Sequence, residues 1–394
     1  MDRRFREAFD RGVDRRHGDS YKWDASMPDD VLPLWVADMD FATAPAVTEA
    51  LRRRVEQGAF GYVKVPDAYY DAVVSWFDRR HGWSIARESI IYTSGVVPAI
   101  SAVIKALTVP GDKVIVQTPV YNCFFSSIRN NGCELSENRL VREGDSYVMD
   151  FDDLAAKAAD PRARILLLCN PANPAGRVWT REELEKVAVI CRENGVTVVS
   201  DEIHCELVYE PYVYTPFGSL AEEFCAGSVI CVSPSKAFNT ASLQIANIVV
   251  KDEEIRRKID RAININEVCD VNPFGVAGTI AAYNDGKEWL EALLEYLKEN
   301  YETMAAYCRE NFPELPICRL EGTYLVWMDC TALGTDSTVL EEELLAETHL
   351  WLNAGAMYGQ EGYMRWNIAC PRSRLMEALD RFRSFVRARQ QRAS

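Results

Sequence analysis

Five residues able to do chemistry, Tyr121, Asn173, Asp201, His204 and Lys236, each follow closely on a short apolar run rich in β-branched side chains. The run at 113–118 leads into Pro119-Val120-Tyr121, and that at 165–170 opens Asn170-Pro171-Ala172-Asn173-Pro174-Ala175-Gly176. The run at 196–201 ends in Asp201-Glu202-Ile203-His204, and that at 228–233 passes into Ser233-Pro234-Ser235-Lys236. In a parallel sheet, ligands bind beyond the carboxyl ends of the strands, so these residues are expected to meet at one edge. Upstream, Ser94-Gly95-Val96-Val97 precedes a helical stretch at 98–107 that begins on Pro98. Free backbone N–H groups at such a helix start suit an anion, and a phosphate is expected there.

An amine, a carboxylate, an imidazole, an amide and a phenol beside a phosphate site fit a pyridine aldehyde phosphate, so pyridoxal 5'-phosphate is the expected cofactor. A lysine amine, here that of Lys236, condenses with the aldehyde. A carboxylate, here Asp201, keeps the pyridine nitrogen protonated so that the ring withdraws electrons from a carbanion. Asn173 and His204 are candidates to hydrogen-bond the phenolic oxygen, and Tyr121 to stack on the ring. Ser94, Gly95 and Val96, with Ser233 and Ser235, are candidates to hold the phosphate. Plainer readings stand beside these. His204 is either a tuning group or a satisfied pocket histidine, and Tyr121 either stacks or packs in the core. Asp201, His204 and Glu206 crowd together as metal ligands would, but no second His or Cys cluster completes a site, so no metal is expected. Cys205 reads as a buried thiol rather than a nucleophile.

The elements that must position these side chains alternate between strand-like runs and helix-period segments, the pattern of a parallel α/β sheet. A further strand is expected at 245–251. Between two strands, Thr180 and Glu183 form a capping box, Leu184, Val187, Ala188 and Cys191 recur at helical spacing, and Gly195 follows the end. From about Val276 the pattern is helical past Tyr307, after which 319–329 and a basic C-terminal helix predict a smaller α+β domain. The expected division is a large cofactor-binding domain at 45–285, with 1–44 and 286–394 forming the small one.

Composition excludes several function classes. With 394 residues, 48% of them hydrophobic, the chain has material for two cores. A formal charge of -15 repels phosphate backbones and anionic lipid, so neither nucleic acid nor membrane is an expected partner. Twelve cysteines are scattered without a Cys-x-x-Cys and read as reduced thiols. The Arg- and Asp-rich start at 1–16 lacks the apolar stretch of a signal peptide, and a cytoplasmic location is expected.

Asn-Pro-x-Asn-Pro-x-Gly at 170–176, Asp-Glu-Ile-His at 201–204 and Ser-x-Ser-Lys at 233–236, in that order and spacing, resemble the class I/II aminotransferases over nearly the whole chain. Trp35-Val36-Ala37-Asp38-Met39-Asp40-Phe41, Phe60-Gly61-Tyr62 and Lys236-Ala237-Phe238-Asn239 resemble the MalY/PatB branch of cystathionine β-lyase-like C–S lyases. The resemblance implies fold type I of the pyridoxal-phosphate enzymes, a mainly parallel central sheet sandwiched by helices. It implies that Lys236 carries the cofactor, that Asp201 pairs with the pyridine nitrogen, and that Tyr62 reaches the phosphate of a neighbouring subunit in a homodimer. It also implies that Arg365, in Met364-Arg365-Trp366-Asn367, binds the substrate α-carboxylate, with Asn173 and Ala37 against the substrate. Asn122-Cys123 and Ser242 depart from the branch pattern, which bears on substrate preference. Ser242-Leu243-Gln244 lacks the phosphate-binding arginine of typical aminotransferases, a lack the branch shares.

The expected reaction is α,β-elimination on a sulfur-bearing L-amino acid such as cystathionine or cysteine, giving thiol, pyruvate and ammonia. Lys236 is the expected base, and Lys236 or Tyr121 the acid for the leaving sulfur. An aminotransferase would use the same lysine but need a keto acid acceptor. A regulatory protein that only binds the cofactor would not require Lys236, Asp201, Asn173 and Arg365 together.

Overall fold

A computed structural model describes residues 1–24, 28–265 and 270–393. Its centre is a seven-stranded sheet of β1 (Ile90–Thr93), β2 (Lys113–Val116), β3 (Glu134–Glu137), β4 (Ala163–Cys169), β5 (Thr197–Asp201), β6 (Val229–Val232) and β7 (Ala246–Val249). The spatial order is β1-β7-β6-β5-β4-β2-β3. The four pairings from β6 to β3 are parallel, whereas β7 runs antiparallel to both β6 and β1. Both faces of β2, β4, β5 and β6 are covered, which is why they read as continuous apolar runs rather than alternating ones. Ile165 and Leu167 of β4 pack on one side with Val96, Ile100 and Ile104 of helix α1 (Val96–Leu107), while Leu166 and Leu168 face the other core. Leu166→Ala would leave a cavity there and cost about 2–5 kcal/mol of stability.

The expected strand–helix–strand unit is present as β4, α2 (Arg181–Glu193) and β5. Thr180 Oγ1 accepts from the Glu183 N–H, and the Glu183 carboxylate accepts from the Thr180 N–H, so the capping box is closed in both directions. Gly195, at φ 67°, makes the left-handed turn that lets the chain re-enter the sheet.

A second, three-stranded antiparallel sheet is built from β8 (Leu325–Asp329), β9 (Asn353–Ala354) and β10 (Tyr363–Asn367), in the order β8-β10-β9. It packs with helices α3 (Lys287–Asn311) and α4 (Arg372–Ala393). The N-terminal stretch joins this part of the molecule, since Leu32 and Pro33 pair in parallel with Leu350 and Trp351. Among the described residues every cysteine is free and all but Cys123 are buried, and no helix is long and apolar enough to cross a membrane.

Candidate active site

The ends of β4, β5 and β6 open onto a cavity of about 190 Å3 whose lining includes Lys236, Asp201, Asn173, His204, Tyr121 and Ala37. Ser94, Gly95 and Val96 form its other wall. Gly95 precedes α1, and among the described residues no side chain caps that helix, so its first-turn N–H groups lie at the cavity wall without a side-chain acceptor. A wider groove of about 550 Å3, lined by Tyr70, Tyr92, Arg256 and Arg257, shares only Ser94 with this cavity and lacks its amine–carboxylate pair.

Asp201 is the last residue of β5 and is buried; its Oδ1 accepts the Ile203 N–H at 3.1 Å. Burial pushes its carboxyl up to about 7, against that hydrogen bond and the charge of Lys236, which both lower it. Lys236 stands on the turn after β6, and its Nζ donates to the Ala37 carbonyl at 2.6 Å. Burial first, and the Arg365 guanidinium second, lower this amine from 10.5 to about 8. Burial and the charges of Lys236 and Arg365 hold His204 well below its usual value, so the imidazole is neutral. His204 Nδ1 has no hydrogen-bond partner among the described residues. Burial, and then the neighbouring Cys123, raise the Tyr121 phenol, so its hydroxyl keeps its proton.

Arg365 comes from the second sheet, buried on β10, and bridges the two halves of the site. Its Nη1 donates to Asn173 Oδ1 at 3.2 Å and its Nη2 to the Trp35 carbonyl at 2.8 Å, while its Nε is unpartnered among the described residues. The Tyr358 ring lies 4.7 Å beneath the guanidinium carbon. Ser235 lines the cavity, but Ser233 stands behind it, donating to the Ile245 carbonyl at 2.6 Å and pairing with the Ser235 hydroxyl at 2.7 Å. Tyr62 is 96% exposed and lies outside the cavity of its own chain. Glu206 points away from Asp201 and His204, to Trp76, Arg80 and His81.

The segment 35–41 crosses the site as a strap whose backbone is held mostly by side chains. Asn367 Nδ2 donates to the Val36 and Asp38 carbonyls, each at 2.6 Å. Asn239 accepts from the Met39 N–H at 3.0 Å and donates to the Met39 and Phe41 carbonyls at 3.0 and 2.8 Å. The sequence reading assigned no role to Asn239, Asn367 or Tyr324, whose hydroxyl also reaches the Ala37 carbonyl. A signal existed for Asn367, which sits two residues from Arg365 on one strand and so projects from the same face.

Residues 29–382 match the family model described as aminotransferase class I and II. The chain belongs to the class I and II aminotransferase family. Within this family it is 39% identical to the cystathionine β-lyase PatB of Bacillus subtilis, over 95% of this chain and 99% of that protein. It is 34% identical to the protein MalY of Escherichia coli, over 91% and 92% of the two chains. The crystal structure of cystalysin from Treponema denticola, which contains a pyridoxal 5'-phosphate cofactor, superposes with a TM-score of 0.93 at 31% identity, covering 96% of this chain and 98% of that one. The aminotransferase-type fold and the C–S lyase branch read from the sequence are both borne out.

Proposed function

We propose that this chain is a pyridoxal-phosphate-dependent carbon–sulfur β-lyase, cleaving cystathionine or cysteine-type S-conjugates to thiol, pyruvate and ammonia. The observation that carries the reading is the meeting, in one cavity, of a lysine amine lowered to about 8 with a buried carboxylate that has no cation bonded to it among the described residues. A buried acid left in that state is suited to a ligand that brings its own positive N–H. The buried Nδ1 of His204, without a partner among the described residues, suits a further polar contact with that ligand. The residues therefore fit the cofactor. Lys236 would hold it covalently, Asp201 would face its ring nitrogen, and Asn173, His204 and Tyr121 would surround the ring. The α1 N–H groups, Ser94 and Ser235 would hold its phosphate, with Ser233 bracing Ser235.

When bound, pyridoxal phosphate supplies an aldehyde that takes up an amine and a ring that draws electrons from the adjacent carbon. The protein's own side chains do the rest. At pH 7 an amine with a value of about 8 is neutral in a useful fraction, so Lys236 can accept the substrate α-proton. Tyr121 keeps its proton through burial and can give it to the departing sulfur, as can Lys236 once it is charged. Arg365 is preset by Asn173 and Trp35 to receive a carboxylate, which fixes the substrate for proton removal. Gln244, a neutral side chain, stands on the cavity lining beside Ser94 and Ser235, so the phosphate gains no positive charge there. The division into 45–285 and 1–44 with 286–394 is supported by the pairing of Leu32 and Pro33 with Leu350 and Trp351.

The reading is tested by incubating the purified, cofactor-loaded protein with cystathionine, cysteine and alanine separately, without a keto acid. Pyruvate and thiol from the sulfur substrates, and no pyruvate from alanine, are expected. An aminated cofactor with no thiol would make the chain a transaminase instead. Arg365→Lys replaces a bidentate fork by a point charge, and a rise in KM on the order of 10–100-fold with a smaller change in kcat is expected. Pyruvate release at varied substrate concentration measures it.

Tyr62 is proposed to complete the phosphate site of a second copy in a homodimer; its exposure and that of Phe60 support this. Mixing inactive Lys236→Ala chains with weakened Tyr62→Phe chains should then raise activity above either parent. In the mixed dimer one site carries both lesions and the other carries neither. No gain despite proven subunit exchange would place both residues in one chain's site.

A further inference from the structure

Thr323 has φ 70° and is fully buried, a left-handed conformation that a β-branched residue rarely adopts. Such strain persists only where the surroundings enforce it, and it concentrates at working sites. The enforcement is visible. Thr323 N–H donates to the Leu207 carbonyl at 2.7 Å, and its own carbonyl accepts the Tyr209 hydroxyl at 2.6 Å. The Leu325 N–H donates to Thr323 Oγ1 at 3.1 Å. Just before it, the Glu321 and Gly322 N–H groups both donate to the Gly176 carbonyl, at 2.9 and 3.1 Å. A Cβ on Gly322 would come within 3.0 Å of the Leu207 carbonyl oxygen, so the chain runs tight against the 204–207 segment. Residues 321–323 are thus wedged between the turn that carries Asn173 and the turn that carries His204.

The residue this wedge aims is Tyr324. Its ring meets His204 edge-on, centroids 6.0 Å apart, and its hydroxyl donates to the Ala37 carbonyl at 2.9 Å. That same oxygen accepts Lys236 Nζ at 2.6 Å. A carbonyl oxygen has two lone pairs, and here both are used, one by each donor. With Tyr324 on one lone pair, the other has a fixed direction, and the amine of Lys236 is pointed by it. We propose that Tyr324 is a positioning residue for the free Lys236 amine, acting through the Ala37 carbonyl. The proposal rests on the reading that Lys236 moves the substrate α-proton, and it adds what holds that amine once it is not joined to the cofactor. Proton transfer depends steeply on where the base lies, so loss of this one hydroxyl, on a residue that is not part of the cavity lining, is expected to slow it.

Two measurements on Tyr324→Phe test this, with the melting temperature and cofactor dissociation constant of both proteins as controls. In the cofactor-free chain, a pulse of an acetylating reagent read by mass spectrometry should label Lys236 several-fold faster in the variant than in the parent, while the exposed Lys287 labels equally in both. In the loaded enzyme, exchange of the alanine α-proton for deuterium, followed by NMR, should fall by about tenfold or more at unchanged cofactor affinity. Alanine has no leaving group, so this exchange does not depend on C–S cleavage. Equal labelling of Lys236 in the two proteins would overturn the proposal, as would exchange within about twofold of the parent. A loss of exchange matched by an equal loss of cofactor affinity would make Tyr324 merely structural and would also overturn it. Absence of exchange in the parent enzyme would sink the base role of Lys236 and with it the functional reading, while the labelling comparison still decides whether Tyr324 holds the amine.

Discussion

Alanine in place of Lys236 is expected to abolish turnover and to leave pyridoxal phosphate that borohydride cannot attach to the chain. Two functions vanish together, the covalent hold on the cofactor and the base that removes the α-proton. General base catalysis alone accounts for about 10²–10⁴-fold, so the loss of both should exceed it. Lys22, whose side chain is buried, is tied to Asp40 at 3.0 Å and is in no position to substitute. The measurement is pyruvate release, together with a mass search for the reduced pyridoxyl adduct. An adduct on any lysine of the parent enzyme other than Lys236 would end the assignment.

Asp201→Asn is expected to remove most activity, by several powers of ten if a protonated ring is essential to the reaction. The same change should stabilise the cofactor-free chain near neutral pH. The carboxyl titrates at about 7 in the fold against an ordinary 3.8, so the folded state binds the proton more tightly than the unfolded one. Stability contributed by this group is therefore full below 3.8 and is lost as pH rises towards 7. An asparagine carries no charge at any pH and escapes that loss. The expected pattern is a higher melting temperature for the cofactor-free variant at pH 7 than for the cofactor-free parent, with the difference shrinking towards pH 4. Near-native turnover, or a variant less stable at pH 7, would refute the role given to Asp201.

The residues that could be read from sequence are those whose position follows from a strand end. Asp201 closes β5, Lys236 follows β6 on a short Ser-Pro-Ser turn, and Asn173 lies in the loop after β4, so a one-dimensional pattern located all three. Four of the five strands were read one to three residues too long, as at 113–118 against Lys113–Val116, whereas β4, read at 165–170, starts two residues earlier at Ala163 and ends at Cys169. The short β1 and the exposed β3 were passed over, and the antiparallel direction of β7 cannot be read from apolar periodicity. Contacts between distant segments were equally silent. Arg365 meets Asn173 across 192 residues of sequence, and Ser233 turns to Ile245 rather than to the cavity. Tyr324 gains its role from a strained backbone that only the packed molecule enforces.

The strap at 35–41 carries a consequence for how this protein can vary. Its carbonyls are gripped one by one by Arg365, Asn367, Tyr324, Lys236 and Asn239, on segments from both sheets. A β-ladder can slip by two residues and recover its bonds, but donors fixed at separate points cannot follow a displaced chain. Val36 is held through its carbonyl and does not line the cavity, so its identity can drift at little cost, whereas the number of residues in the strap cannot. A single-residue insertion or deletion between Trp35 and Ala37 could not present the right carbonyl to both the arginine and the lysine. Lineages that diverge in this stretch should therefore differ by replacement while its length stays constant.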